Sequence, residues 1–358
     1  MDEPKPEPTL RDEQNGASAK SAPQRRQSSA ARNACPPVHY YKGTTASAPR
    51  AYFRGTTQNN PPYLCRDWWA LLECIQFSSF RSRRLPGTNN RMRELRRITR
   101  LIKPMRGGSQ AWLVEADDDH CYVAKFLGNP QGNRTLVNEI VATRLLQGLG
   151  VCVPQVRLLR FSDSVLGDPR LIFKTSRTRP VENGIHFGSL CPVDPRATAT
   201  FDFLPSRLLP NVANLADFGV CFAFDAWVGH MALRQAVYFR DRHAKTLVLR
   251  SCLIDHGHCF GGWLWNFSAA PGQALVFDRS VYRAIDLPTI TERALGRIER
   301  LTEEEIDSAA SELPEAWFSG RDRNALTELM QALYVRRAKM RRQVEVLVRE
   351  LSSPSFAC

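Results

Sequence analysis

Three charged residues and a pair of glycines are spaced along this chain in a way that suits the handling of a phosphorylated ligand. Lys125 sits in "YVAKF", on the same face of an expected strand as Cys121 and Val123. Burying an ammonium alone is costly, so a lysine on an apolar strand face needs an anionic partner. Glu139, on the next expected helix and flanked by its apolar stripe, could be that partner. Read alone, Lys125 would be an edge-strand lysine reaching for water. Upstream, "RGGSQ" (106–110) is a Gly-rich turn whose backbone N–H groups, with Ser109 as a further donor, could fold over phosphates. Downstream, Asp255 ends the apolar run "TLVLRSCLI" and precedes "HG". A carboxylate at a strand end beside glycine can hold Mg²⁺, which favours a few carboxylates plus phosphate oxygens. An Asx-turn or helix cap is the plainer alternative for Asp255.

Glycine-rich turn, strand lysine, helix glutamate and late D-x-G come in the chain order of a kinase, and phosphoryl transfer needs each part. The ensemble is more specific than any of its members.

The elements that must position these residues can be read from periodicity. "SQAWLVEA" and "HCYVAKF" alternate as strands joined by "DDD". "NRTLVNEIVATRLLQGLG" places Leu136, Ile140, Leu145, Leu146 and Leu149 at helical spacing and ends on Gly148 and Gly150. "VCVPQVRLLRF" and "RLIFKTS" read as further strands, "NLADFGVCFAFDAWVGHM" as a helix, and "KTLVLRSCLIDHG" as a strand again. Residues 292–351 are expected to be mostly helix, with Thr302 and Glu305 as a capping box. One last helix is expected to carry Leu326, Leu329, Met330, Leu333, Met340, Val344, Leu347 and Leu351 as a stripe. Strands first and helices later give an α+β protein of two lobes with a cleft between them.

The net charge of +13 is unevenly spread, since residues 1–100 hold 18 Lys/Arg against 8 Asp/Glu. The basic character therefore belongs mostly to the amino-terminal segment and does not argue for nucleic-acid binding by the folded part. That segment is rich in Pro, Ser, Ala, Arg and Asn and cannot bury enough apolar area to offset its ordering entropy. "RDWWALLECIQF" (66–77) is an island that could form a short docking helix or be a chance apolar patch. Regular patterning begins at Met92, which is read as the true start, with residues 1–91 disordered or upstream translation. No secretory leader and no apolar run of membrane-spanning length are seen. The ten cysteines are scattered without a C-x-x-C pair, as suits reduced thiols, so the expected location is cytoplasmic.

From about residue 97 to 350 the chain resembles the HipA-type kinase family, in its compact single-chain branch. The matching stretches are "GGSQAWLVEADD", "YVAKFLGNPQGNRTLVNEIVATRL", "HFGSLCPVDP", "DFLP", "FDAW", "RQAVYFR", "LIDHGHCF" and "WNF". The resemblance implies a bilobal protein-kinase-like fold: a small β-rich lobe with one helix (92–180), then a mainly helical lobe (181–358). It also implies ATP with Mg²⁺, and phosphotransfer to protein Ser/Thr as the ancestral activity. By that likeness Lys125, paired with Glu139, would hold the α/β-phosphates. Gly108, Ser109 and Gln110 would form the phosphate loop, and Asp255 would bind metal.

The stretch 222–239, "FAFDAWVGHMALRQAVYF", carries the departure. Relatives look like F-D-x-W-x-x-N-x-D-x-R-Q, whose second Asp would orient or deprotonate the acceptor hydroxyl. Asp225, Trp227, Arg234 and Gln235 match this catalytic-loop pattern, His230 replaces the Asn and Ala232 replaces that Asp. Alanine can neither accept a proton nor ligate a metal. A positioned acid or base contributes about 10²–10⁴-fold, so slow turnover at most is expected. His230 stands two residues off in register and is not expected to substitute; Gln235 could contact Mg²⁺ or phosphate, or be a surface-loop glutamine.

Two classes of function follow: a weakly active HipA-like serine/threonine kinase, or a pseudokinase that binds nucleotide or a protein partner. The acceptor or partner protein is not specified by the sequence. "CLIDHGHCF" offers Cys252, His256, His258 and Cys259 to a zinc ion, but C-x3-H-x-H-C fits no common structural site. His186 is either part of a cleft-lining loop, by the family likeness, or an exposed turn histidine. Arg336, Arg337, Lys339, Arg341 and Arg342 are read as a solvated helix face.

Overall fold

The computed structural model describes residues 95–267, 274–276 and 278–352. Contacts divide the chain into Met1–Leu72 and Glu73–Cys358, and every described residue lies in the second unit. The expected helix over 66–77 and the proposed start at Met92 lie outside the described residues.

The chain enters the described region in a strand that periodicity did not disclose, β1 (Arg96–Pro104). Two register irregularities against β2 (Trp112–Ala116), between Ile98 and Arg100 and between Leu101 and Lys103, interrupt its alternation. Both Ile98 and Leu101 are thereby buried while Arg97, Arg100 and Lys103 stay exposed. β3 (Cys121–Lys125) completes the expected hairpin with β2. α1 (Arg134–Gly148) follows and is buried almost all round from Thr135 to Thr143. Its end is set by Gly150, at a left-handed φ of 76°, beside the Val151 N–H that returns to Leu146 O.

β4 (Val156–Phe161) runs parallel to β1. After a separate ribbon of β5 (Ile172–Phe173) and β6 (Arg179–Pro180), β7 (His186–Leu190) inserts between β3 and β4. The result is a closed barrel in the order β1-β2-β3-β7-β4, filled by Ile98, Val114, Tyr122, Phe126, Leu159 and Phe161. At Gly188 a Cβ would meet Leu159 at 2.6 Å, so this strand position has no room for a side chain. β7, which lies beyond residue 180, is thus a strand of the same barrel as β1 to β4.

The second lobe holds a small sheet ordered β10-β9-β8, built from β8 (Thr200–Phe201), β9 (Gln235–Arg240) and β10 (Leu249–Ile254). Between β8 and β9 lies α2 (Asp217–Val228), whose Phe218, Phe222, Phe224 and Trp227 are buried on several faces. The remainder is helical: α3 (Ser280–Arg283), α4 (Leu287–Glu299), α5 (Glu303–Ala309), α6 (Asp322–Arg336) and α7 (Arg341–Ser352). α5 begins with the expected Thr302–Glu305 capping box. The single last helix of the sequence reading is two helices, α6 and α7, with Met340 buried at the break.

Of the basic run on these helices, Lys339 and Arg342 are exposed, whereas Arg336, Arg337 and Arg341 are engaged by the protein. Arg336 donates to Trp227 O and Ala226 O, Arg337 to Leu301 O, and Arg341 to Glu299 and Glu292. An apolar cluster extends from Leu127 and α1 through α2 to α6 and α7, so α1 packs with the helical lobe as well as serving the barrel. The fold is α+β, a β-rich lobe with one helix followed by a mainly helical lobe. Among the described residues no helix is long and apolar enough to cross a membrane.

Candidate functional site

Lys125 closes β3 and its ammonium is shared by carboxylates from two different elements. Nζ donates to Glu139 Oε1 of α1 and to Asp255 Oδ1, the latter at 2.6 Å. Burial disfavours the charged amine, but Glu139 and Asp255 outweigh it and hold the Lys125 pKa above its usual range. Burial likewise works against ionising Asp255, and the adjacent Lys125 reverses this, holding the carboxyl down at about 2. Glu139, 3% exposed, also accepts the His256 N–H at 3.0 Å and the Gly257 N–H at 2.9 Å. It therefore ties both the lysine and the start of the segment after Asp255 to α1.

Asp255 directly follows β10 with a left-handed φ of 62°, a conformation Asp tolerates better than most residues. Its second oxygen accepts Gln235 Nε2 at 2.8 Å, and Gln235 opens β9 opposite Ile254. Phe260, Trp265 and Phe267 repeat the left-handed conformation farther along. Asn138, wholly buried on α1, holds this irregular path. Its Nδ2 contacts the carbonyls of Gly257, Cys259 and Gly262 at 2.9–3.1 Å, and its Oδ1 accepts Trp265 Nε1 at 2.7 Å.

The loop between α2 and β9 contains Ala232 and is spanned by a buried pair. Arg234 donates through Nε to Asp225 Oδ2 at 2.9 Å and through Nη2 to Oδ1. Asp225 and Arg234 are both buried, at 5% and 3% exposure. In this structure the pair holds together the two ends of the loop that carries Ala232. Arg234 also contacts His256 Nδ1 at 2.8 Å, linking the loop to the segment beyond Asp255. His230 is 1% exposed, with Nδ1 3.2 Å from Ala232 O and Nε2 3.4 Å from Asp255 O. Burial and the nearby Arg234 push its pKa well below the usual value, leaving a neutral ring turned inward.

At the barrel rim, Gly107 turns the chain at φ 122° and Met105 N bonds Ala111 O across the base of the turn. Gly108 is exposed there, whereas Ser109 is 7% exposed. Gln110 ties this turn to the neighbouring segment. Its backbone N–H goes to Gly107 O, and its side chain exchanges two hydrogen bonds with the Lys174 backbone, at 2.7 and 2.8 Å. It pins the turn. Gln131, in the β3–α1 loop, meets this turn from the other side: a Cβ on Gly108 would lie 2.8 Å from its Nε2. The same Nε2 is 3.0 Å from His258 Nε2.

Hydrogen bonds thus join Lys125, Glu139, Asp255 and Gln235 in one cluster, and Gln131 lies between Gly108 and His258. Gln131 and Asn138 were missed, since a polar side chain in a loop or within an apolar helix carries no local signature of its partners. The cysteines and histidines of "CLIDHGHCF" face different neighbours: Cys252, a free thiol, interacts with the free thiol of Cys152, His256 faces Arg234, His258 meets Gln131, and Cys259 is buried. Among the described residues no group of three or more His, Cys, Asp or Glu is arranged to hold a metal ion. His186 is neither exposed nor cleft-lining. It is buried between Phe126 and Phe161, accepts the Leu127 N–H at 3.1 Å, and burial pushes its pKa down to about 3.

No protein-family model and no curated protein sequence matches this chain. Solved structures do. The chain is similar to the Helicobacter pylori proinflammatory kinase CtkA, at 15% identity, covering 72% of this chain and 98% of that one with a TM-score of 0.43. It is also similar to the Golgi casein kinase with Mn/ADP bound, at 12% identity over 70% and 73% of the two chains with a TM-score of 0.42. These neighbours are kinases.

Proposed function

We propose that the cleft binds Mg-ATP and that the protein is a HipA-like, kinase-fold phosphotransferase acting weakly on protein serine or threonine. The observation that carries this reading is the sharing of the Lys125 ammonium by Glu139 and Asp255, one on the helix of the first lobe and the other at the end of β10. A buried cation with two carboxylate partners is well placed to exchange one of them for phosphate oxygens. The donor set fits Mg²⁺, which binds through one or two carboxylates and completes its shell with phosphate and water. Asp255 supplies the carboxylate and Gln235 an amide beside it; bound Mg²⁺ would neutralise charge on the phosphates. Lys125 holds phosphate oxygens, the Gly107–Gly108 turn covers them, and Asn138 with Glu139 keeps Asp255 in place.

Ala232 limits this chemistry. No side chain at that position can take the proton of an acceptor hydroxyl, and His230 is buried and neutral beside it. That favours a second reading, in which the protein binds nucleotide as a pseudokinase and acts through an unidentified protein partner.

Calorimetric titration of the full chain with Mg-ATP, using Lys125→Ala as control, tests both. Saturable, Mg²⁺-dependent binding that the substitution removes is expected. A well-folded sample that binds no nucleotide would end both nucleotide-based readings. Where binding is seen, transfer of labelled γ-phosphate to protein separates the kinase from the pseudokinase.

A further inference from the structure

The loop joining β3 to α1 lies between the lysine and the helix that pairs with it, and its conformation is fixed. Asn129, 2% exposed, accepts the Gln131 N–H at 3.0 Å through its side chain and donates to Phe126 O at 3.2 Å. Gly132 N bonds Asn129 O at 2.9 Å, and the Asn133 side chain accepts the Gly128 N–H at 2.7 Å. Such a loop presents Gln131 in one place. Its amide reaches the Gly108 turn on one side and His258 on the other, three residues beyond Asp255. The absence of a side chain at Gly108 is what permits the first approach.

The amide of Gln131 therefore bridges the two parts of the cleft that would face the outer phosphates of a nucleotide, the Gly-rich turn and the segment that carries the metal carboxylate. The side chain is partly exposed, and in the structure its amide nitrogen lies 3.0 Å from the ring Nε2 of His258. Hydrogen bonds from an amide to an anionic oxygen are stronger than those between neutral groups.

We propose that Gln131 is a specificity residue that recognises the terminal phosphate of a nucleoside triphosphate, exchanging its contact with His258 for a bond to a γ-phosphate oxygen. The inference rests on the nucleotide-binding reading of the cleft. It adds that the cleft distinguishes a triphosphate from a diphosphate, and that Gln131 does so. Lys125 and the metal carboxylate serve phosphates common to both ligands, so their loss would weaken both.

The test is calorimetry on the full chain with two Mg²⁺ complexes, a non-hydrolysable β,γ-imido analogue of ATP and ADP, for wild type, Gln131→Leu and Gln131→Glu. Loss of one hydrogen bond to a charged group predicts that Gln131→Leu weakens the triphosphate analogue by about tenfold or more while ADP changes by less than about twofold. Gln131→Glu sets a carboxylate against the γ-phosphate and should cost the triphosphate more than Gln131→Leu does. Equal weakening of both nucleotides, or no change in either, overturns the assignment while leaving nucleotide binding intact. Wild-type protein that binds neither nucleotide refutes the reading beneath it, and the assignment falls with it.

Discussion

Asp225 at the end of α2 and Arg234 just before β9 form a buried pair that closes the ends of the loop carrying Ala232. Both guanidinium nitrogens that face Asp225 find an oxygen, so the loop is fixed from inside and does not depend on the residue at its tip.

A carboxylate placed at the tip would enter a loop whose ends are already held. Ala232→Asp is expected to raise phosphotransfer by about 10²–10⁴-fold, the usual contribution of a positioned acid or base. Ala232 is partly exposed, so thermal stability should hardly change. The check is label transfer from γ-labelled ATP to a generic protein acceptor or to the chain itself, beside a melting curve. A folded variant that binds Mg-ATP yet gains no transfer would place the defect beyond this residue.

Removing the ammonium leaves two carboxylates facing each other. Lys125→Ala should destabilise the protein by about 3–5 kcal/mol, the usual cost of breaking a buried ion pair from one side. Urea unfolding measures it. Lys125→Arg keeps the charge but cannot reproduce the compact two-carboxylate contact, and should recover only part of the loss.

Asn138→Ala tests the clamp on the segment after Asp255. It strips a buried indole N–H and three carbonyls of their partner. With about 1–3 kcal/mol for each polar group left unsatisfied, a loss of about 3 kcal/mol or more is expected. Mg-ATP affinity should fall as well, since Asp255 is no longer held; Asn138→Ala with unchanged stability and affinity would remove the clamp from the account.

Acid should weaken the fold before it reaches the carboxylates. The folded-state pKa of His186 lies near 3 because the ring is buried, whereas an unfolded histidine titrates near 6.5. The unfolded chain thus binds more protons below pH 6.5, and stability present above that pH is lost as the pH falls toward 3. The linkage amounts to about 2 kcal/mol per such histidine between pH 6.5 and 5. Burial depresses His230 and His256 in the same direction. Urea midpoints measured from pH 7.5 to 5 should fall, and the slope should be shallower in His186→Gln. Asp255 acts only at the extreme: its contribution is lost as the pH drops through about 2.

The parts of the fold that were legible in the sequence are those with a local period. The β2–β3 hairpin, α1, β4, α2 and β10 each repeat an apolar spacing that their own residues set. β1 was hidden because its two irregularities break the alternation, and the α6–α7 break because the apolar stripe continues through Met340. In the site, Lys125, Glu139 and Asp255 could be named from residue type and chain order. The inward role of Asp225 and Arg234, the pinning role of Gln110 and the meeting of Gln131 with His258 could not. Those are contacts between distant segments, which hydrophobic spacing does not encode.

The order in which the barrel is assembled has a consequence for its birth on the ribosome. β1, β2 and β3 emerge in sequence and can pair as neighbours, but β7 sits between β3 and β4 and emerges last. At about 5–20 residues per second, the stretch from Lys125 to Leu190 takes several seconds to synthesise. Throughout that interval β3 presents an unpaired edge of the kind that recruits foreign strands. A nascent chain stalled before His186 would be the form of this protein most in need of a chaperone.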